Sequence, residues 1–168
     1  SISGAELGDK LLEQAMEHPA VTGQVYSSAA HQKIALLCDL GRGKEEAERY
    51  DRLLSESPEN PQLWLLCTAA HEFAGESARA LEICLEGIVR FPDKALLYVH
   101  AGDLCRNLKR YDEAFTHWHR ALALDQNCLD AVYSMGFCRE ELGQYDKAKK
   151  NRKEMTQELD RRGLVVER

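Results

Sequence analysis

Tyr98-Val99-His100-Ala101-Gly102-Asp103-Leu104-Cys105-Arg106-Asn107-Leu108-Lys109-Arg110-Tyr111-Asp112-Glu113-Ala114-Phe115-Thr116-His117-Trp118 is the stretch that decides the fold. Tyr98, Ala101, Gly102 and Cys105 fall at i, i+3, i+4 and i+7, one stripe of an α-helix. Past Lys109, Ala114, Trp118 and Ala121 form the matching stripe of a second helix. The small residue at position 102 lets the two helices approach closely, so the segment reads as a helical hairpin.

The hairpin recurs with a fixed period, and a repeat of this length governs the whole fold. Gly41, Gly75 and Gly143 mark three slots of one evenly spaced series, and Lys109 occupies the remaining slot. Ala80, Ala114 and Ala148 recur at the same interval, as do Gly102 and Gly136, Tyr111 and Tyr145, and Pro58 and Pro92. Each first helix ends near the Gly or Lys, where a left-handed turn residue is favoured. The first-helix stripe is Trp64, Cys67, Thr68 and His71 in one unit and Val132, Met135, Gly136 and Arg139 in another. Its partner is Ala80, Cys84 and Gly87, and then Ala148, Arg152 and Met155.

With Tyr98-x-x-Ala101-Gly102, Tyr111-Asp112-Glu113-Ala114, Trp118 and Ala121-Leu122-Ala123-Leu124-Asp125, the sequence resembles the tetratricopeptide repeat (TPR) family. The resemblance implies an all-α fold, a right-handed superhelical solenoid of antiparallel helix hairpins. It divides the chain into an N-terminal capping helix and linker (1–26), four units (27–60, 61–94, 95–128 and 129–162) and a C-terminal tail (163–168). In the first unit Arg42-Gly43-Lys44 reads as one extra residue in the inter-helix turn. Glu6 to His18, with Leu7, Leu11, Leu12, Ala15 and Met16 on one side, reads as an amphipathic helix stopped by Pro19 and sealing that unit. At the other end, Arg139 and Arg152 stand where the preceding unit has Cys105 and Trp118, giving the polar outer face a solenoid end requires.

The composition agrees. Among 168 residues, 44% are hydrophobic and 30% charged, a folding composition. The net charge of −6 repels phosphate backbones, so no nucleic-acid partner is expected. No apolar run reaches the length of a membrane span, so no membrane insertion is expected either. Ser1 to Leu12 lacks the basic-then-apolar pattern of a secretory signal.

Cys38, Cys67, Cys84, Cys105, Cys128 and Cys138 form no CxxC pair and show no zinc-finger spacing with His, so no metal site is expected from spacing. They read as reduced, small apolar groups in a cytoplasmic protein. The sequence shows no P-loop, GxSxG elbow or HExxH helix, and neither catalytic residues nor a cofactor are expected. His117 and His119 lie two apart and point in different directions, reading as surface or half-packed residues. His71 and His100 read as hydrogen-bonded core or groove histidines. Cys67 with His71 is an i, i+4 pair on the packing stripe, which argues against an activated nucleophile.

A second stripe on the first helices carries the functional reading. It holds Gln62, Leu65 and Phe73 in one unit, Leu96, Val99, Asp103, Arg106 and Asn107 in the next, and Tyr133, Phe137 and Glu141 in the last. The resemblance implies that this stripe lines a concave groove for partner peptides. Leu65, Phe73, Val99, Tyr133 and Phe137 would form an apolar floor, with Asp103, Arg106, Asn107 and Glu141 as polar contacts. Leu65 and Val99 read equally well as inter-repeat core. Tyr133 and Phe137 have no further repeat to cover them and read as binding residues.

The expected function is therefore a non-catalytic interaction module, an adaptor or scaffold that binds a protein, peptide or helix carrying apolar side chains. The alternatives are a self-associating structural module and a regulatory fragment of a larger protein. Some TPR domains clamp the acidic tails of heat-shock chaperones with Lys, Asn and Arg. Here His31, Ala35, Leu66, Leu96 and His100 stand at those positions, so such a tail is not an expected ligand. The basic run from Lys147 to Lys153 is balanced by nearby acids and reads as a solvated helix face, and Leu164-Val165-Val166 as a short tail able to dock in a groove.

Overall fold

Four evenly spaced turn residues have positive φ: Gly41 (78°), Gly75 (83°), Lys109 (62°) and Gly143 (72°). Each reverses the chain between two helices in the computed structural model, which describes residues 23–163. After each, the next N–H reaches back to the helix it has just left. Arg42 donates to the Leu37 carbonyl (2.8 Å), Glu76 to His71 (2.9 Å), Arg110 to Cys105 (2.8 Å) and Gln144 to Arg139 (2.7 Å). These bonds satisfy carbonyls that the helix end leaves without partners.

The described residues form eight helices: α1 (Gly23–Asp39), α2 (Gly43–Glu56), α3 (Pro61–Phe73), α4 (Ser77–Arg90), α5 (Ala95–Asn107), α6 (Tyr111–Leu124), α7 (Leu129–Glu141) and α8 (Tyr145–Arg161). In all four turns the second helix begins at the second position after the positive-φ residue. The extra residue expected at Arg42-Gly43-Lys44 is thus not there. Gly43 is the first residue of α2, and a Cβ on it would lie 2.9 Å from the Cys38 sulfur and 3.3 Å from the Ala74 backbone. Close packing, not turn length, explains this glycine. Helix α1 begins ahead of Ser27, where the first unit was expected to start.

The hairpins are joined by short loops whose hydrogen bonds repeat as well. Trp64 Nε1 donates to the Pro58 carbonyl (2.8 Å), and at the equivalent place in the next unit the Tyr98 hydroxyl donates to the Pro92 carbonyl (3.0 Å). An aromatic residue with a polar tip at this position packs its ring and ties down the loop together. Asn60 caps α3 by accepting from the Gln62 N–H (3.0 Å), and Pro61 fits the first helical turn, where its missing N–H costs nothing. Before α7 the tie is an Asp125 carboxylate accepting from the Asn127 N–H (2.9 Å).

The chain divides into two compact units between Gly87 and Ile88. In the first, the core is built from Ile34 and Leu37 of α1, Ala47 and Tyr50 of α2, Trp64, Leu66, Cys67 and Thr68 of α3, and Ala80, Ile83 and Cys84 of α4. In the second it is built from Leu97, Tyr98, Ala101, Leu104 and Cys105 of α5, Ala114, Trp118 and Ala121 of α6, and Ala131, Met135 and Cys138 of α7. A methyl group on Gly102 would overlap the Trp118 indole, so the smallest residue faces the largest. The last hairpin is more polar, as its charges suggest. The exposed Arg152 pairs with Glu140, and the Arg139 guanidinium sits 5.2 Å from the Phe115 ring centre.

None of the six cysteines is held in a disulfide, and all but Cys38 are buried. Burial pushes the Cys105, Cys128 and Cys138 thiols up from their ordinary range, in keeping with small apolar packing groups. Among the described residues no helix is long and apolar enough to cross a membrane. The expected capping helix (Glu6 to His18) and the docking tail (Leu164-Val165-Val166) lie outside the described residues.

Candidate functional site

Helices α5 and α7 pack against each other in the second unit and leave one face open to water. Leu96 of α5 and Tyr133 and Phe137 of α7 are 46%, 59% and 43% exposed. Tyr133 and Phe137 are one helical turn apart, and their rings lie nearly parallel, 12° apart in tilt and 6.5 Å between centres. The Arg106 guanidinium reaches across from α5 to within 5.0 Å of the Phe137 ring centre. Its Nε stands 4.0 Å from the Glu141 carboxylate. Asn107, exposed at the end of α5, accepts a long hydrogen bond from Arg106 (3.5 Å). The result is an aromatic shelf edged by a cation, an amide and a carboxylate. Such a surface can cover apolar side chains while its rim bonds to polar groups of a guest.

Not every residue of the expected groove belongs to this surface. Leu65 and Val99 are core, only 7% and 4% exposed, which corrects their assignment to an open groove floor. The reason is stacking between hairpins: α3 packs against α1 in the first unit, and α5 against α7 in the second. Asp103 is half-buried. It accepts from Trp118 Nε1 (3.1 Å) and from the Ser134 hydroxyl, joining α5, α6 and α7. Burial lifts its carboxyl above the ordinary carboxylate range, although both hydrogen bonds and Arg106 oppose the rise. It is a structural acceptor rather than a free contact. In the first unit Phe73 is 47% exposed and Gln62 half-buried, both on α3.

The histidines sort as their spacing suggested. His119 is exposed and His117 half-buried, with burial lowering the His117 pKa. His71 is buried on α3 and touches two carboxylates, Asp51 and Glu76. The Cys67 thiol beside it is pushed far up by burial and by its hydrogen bond to Asp51, the opposite of an activated thiolate. Asp51 had drawn no attention in the sequence, since it lies on another helix, 16 residues before Cys67.

Helical hairpins repeating at a fixed interval, with small residues between paired helices, place the chain among the all-α repeat scaffolds. Solved structures narrow the class. TTC0263, a thermophilic TPR protein of Thermus thermophilus, matches 92% of this chain over 80% of its own, at 16% identity and a TM-score of 0.70. A fragment of MamA from Desulfovibrio magneticus RS-1 matches 96% of this chain over 98% of its own, at 14% identity and a TM-score of 0.64. The second TPR of Spaghetti (RPAP3), bound to the HSP90 peptide SRMEEVD, matches 67% of this chain over 96% of its own, at 22% identity and a TM-score of 0.50. The chain has the tetratricopeptide-type fold. No protein-family model matches the sequence, and no curated protein does.

Proposed function

We propose that the chain is a non-catalytic protein-interaction module, an adaptor or scaffold that holds a partner segment on the α5–α7 face. The observation that carries this reading is the Tyr133–Phe137 pair, two stacked aromatic rings exposed to water on α7. Exposed aromatic rings beside an arginine are the side chains that dominate protein interfaces. The fold supports the reading, since a structural neighbour holds a peptide.

The partner presents apolar side chains to the shelf and a Lys or Arg to the acid at its edge, Glu141. An acidic chaperone tail finds too few cations here, so it is not the ligand we propose. Reduced, mostly buried thiols fit a reducing compartment, and we place the protein in the cytoplasm. The test is a pull-down from the native host with the wild-type chain and with Tyr133→Ala/Phe137→Ala. A partner band lost in the variant supports the face, and bands that are unchanged would overturn it. Micromolar binding of a chaperone-tail peptide would overturn the charge argument.

A further inference from the structure

His71 sets a problem in hydrogen bonding. Its imidazole is 5% exposed, with Nδ1 2.6 Å from Glu76 Oε2 and Nε2 2.9 Å from Asp51 Oδ1. Carboxylates only accept, so the ring donates to both only as an imidazolium; a neutral imidazole has a single N–H, serves one of the two and turns a lone pair on the other. On the Asp51 side a third group converges: Cys67 Sγ lies 3.3 Å from the same carboxylate oxygen. A sulfur, a ring nitrogen and a carboxylate oxygen of the three residues all lie within 4.8 Å of one another.

Three segments build this cluster. Cys67 and His71 share one face of α3 a turn apart, and α2, packed on that face, brings Asp51. Glu76 follows the positive-φ Gly75, and its own N–H caps the His71 carbonyl (2.9 Å) while its carboxylate reaches the ring. A carboxylate on Nδ1 fixes the tautomer that leaves Nε2 free to ligate, the usual outer-sphere arrangement of a metal-bound histidine.

We infer that Cys67, His71 and Asp51 form a binding site for one divalent transition-metal ion, with Zn²⁺ the best match and Glu76 orienting the histidine. Thiolate, imidazole and carboxylate are zinc's donor set, whereas Ca²⁺ and Mg²⁺ take oxygen alone. Tetrahedral zinc with ordinary bond lengths needs about 3.4 Å between N and O donors and about 3.6 Å between S and O. The observed 2.9 and 3.3 Å are a few tenths short. The Asp51 side chain, 43% exposed, has room to withdraw by that much and gives the ion a way in. Three protein donors leave a fourth position for water. Arg79 is the cation that bears on Cys67, and it is engaged by Glu82 at 3.0 Å.

Binding replaces the S–H proton of Cys67 by the metal and releases that proton to solvent, with no change of oxidation state. Because the metal displaces that proton, affinity falls as the solution is made more acidic. The ion would tie α2 to α3, making the first unit more stable when metal is present. This does not depend on the interaction face, which lies in the other unit.

The test uses the full chain, reduced and stripped of metal, titrated with Co²⁺. Expected are one ion per chain, a thiolate-to-cobalt charge-transfer band, its loss on adding Zn²⁺, and a Zn²⁺-dependent rise in Tm. Cys67→Ser should abolish the sulfur band, and Glu76→Gln should weaken binding roughly ten- to a hundred-fold. Should Cys67→Ser not fold, Asp51→Asn, at a partly exposed position, is the second variant and should lose most of the affinity. A folded wild-type chain with no cobalt–thiolate band, or a band that survives in Cys67→Ser, would overturn the site. A merely structural hydrogen-bond tie gives no band at all.

Discussion

The α3–α4 hairpin of the first unit and the α5–α6 hairpin of the second have the same frame but opposite distributions of bulk. Position 68 is Thr and its equivalent in the next repeat, position 102, is Gly; position 84 is Cys and its equivalent, position 118, is Trp. All four are buried. Thr68 spends its hydroxyl on the Trp64 carbonyl (2.8 Å) in its own helix, and Trp118 spends its indole N–H on Asp103 across the interface. Two medium side chains stand in one hairpin where the other has a none-and-large pair. Close packing can be met by either pair, so residue identity at these positions is free to change.

The largest effect expected is at Trp118. Trp118→Cys should cost about 3–5 kcal/mol in urea denaturation, since it leaves an indole-sized cavity. Trp118→Cys combined with Gly102→Thr copies the first unit's pair and should recover at least about 1 kcal/mol of that loss, a coupling that distant sites would not show. Fully additive single effects would mean that the two hairpins do not share one packing solution.

Next come the turns. Lys109 occupies the left-handed position that Gly41, Gly75 and Gly143 fill elsewhere. Lys109→Gly should therefore stabilise by about 1 kcal/mol, and Gly75→Ala should destabilise by a similar amount. Chemical denaturation of both variants checks the pair of signs.

The smallest effect is a slope. The Asp103 carboxyl is raised above its ordinary value of 3.8, so the folded chain holds this proton more tightly than the unfolded chain does. Its contribution to stability is then greatest below the unfolded value and is lost as pH rises through the folded one. Asp103→Asn should flatten that decline in denaturation midpoints measured from about pH 4 to neutral. An identical slope in wild type and variant would refute the burial argument for this residue.

Much of the fold was legible because its determinants are local: a glycine where φ is positive, small residues where helices touch, a ring where a loop is tied. Gly43 misled because a glycine needed for close approach looks the same in sequence as one needed for a turn. The site was legible only in part. Periodicity assigns Leu65, Val99 and Tyr133 to the same face, but which neighbour covers them is decided in three dimensions. Asp103 looked like a free polar contact because its partner, Trp118, lies 15 residues away on another helix. The cluster at His71 escaped the spacing rules for metal motifs for the same reason, with its carboxylate coming from α2.

The thiols give the chain a built-in readout of its own breathing. Cys67, Cys84, Cys105 and Cys138 place one sealed sulfur in each of α3, α4, α5 and α7, while Cys38 is partly open. A slow alkylating reagent followed by mass mapping would time the opening of each helix separately, with Cys38 as the prompt reference. Local opening energies could then be ranked along the chain without adding a single label.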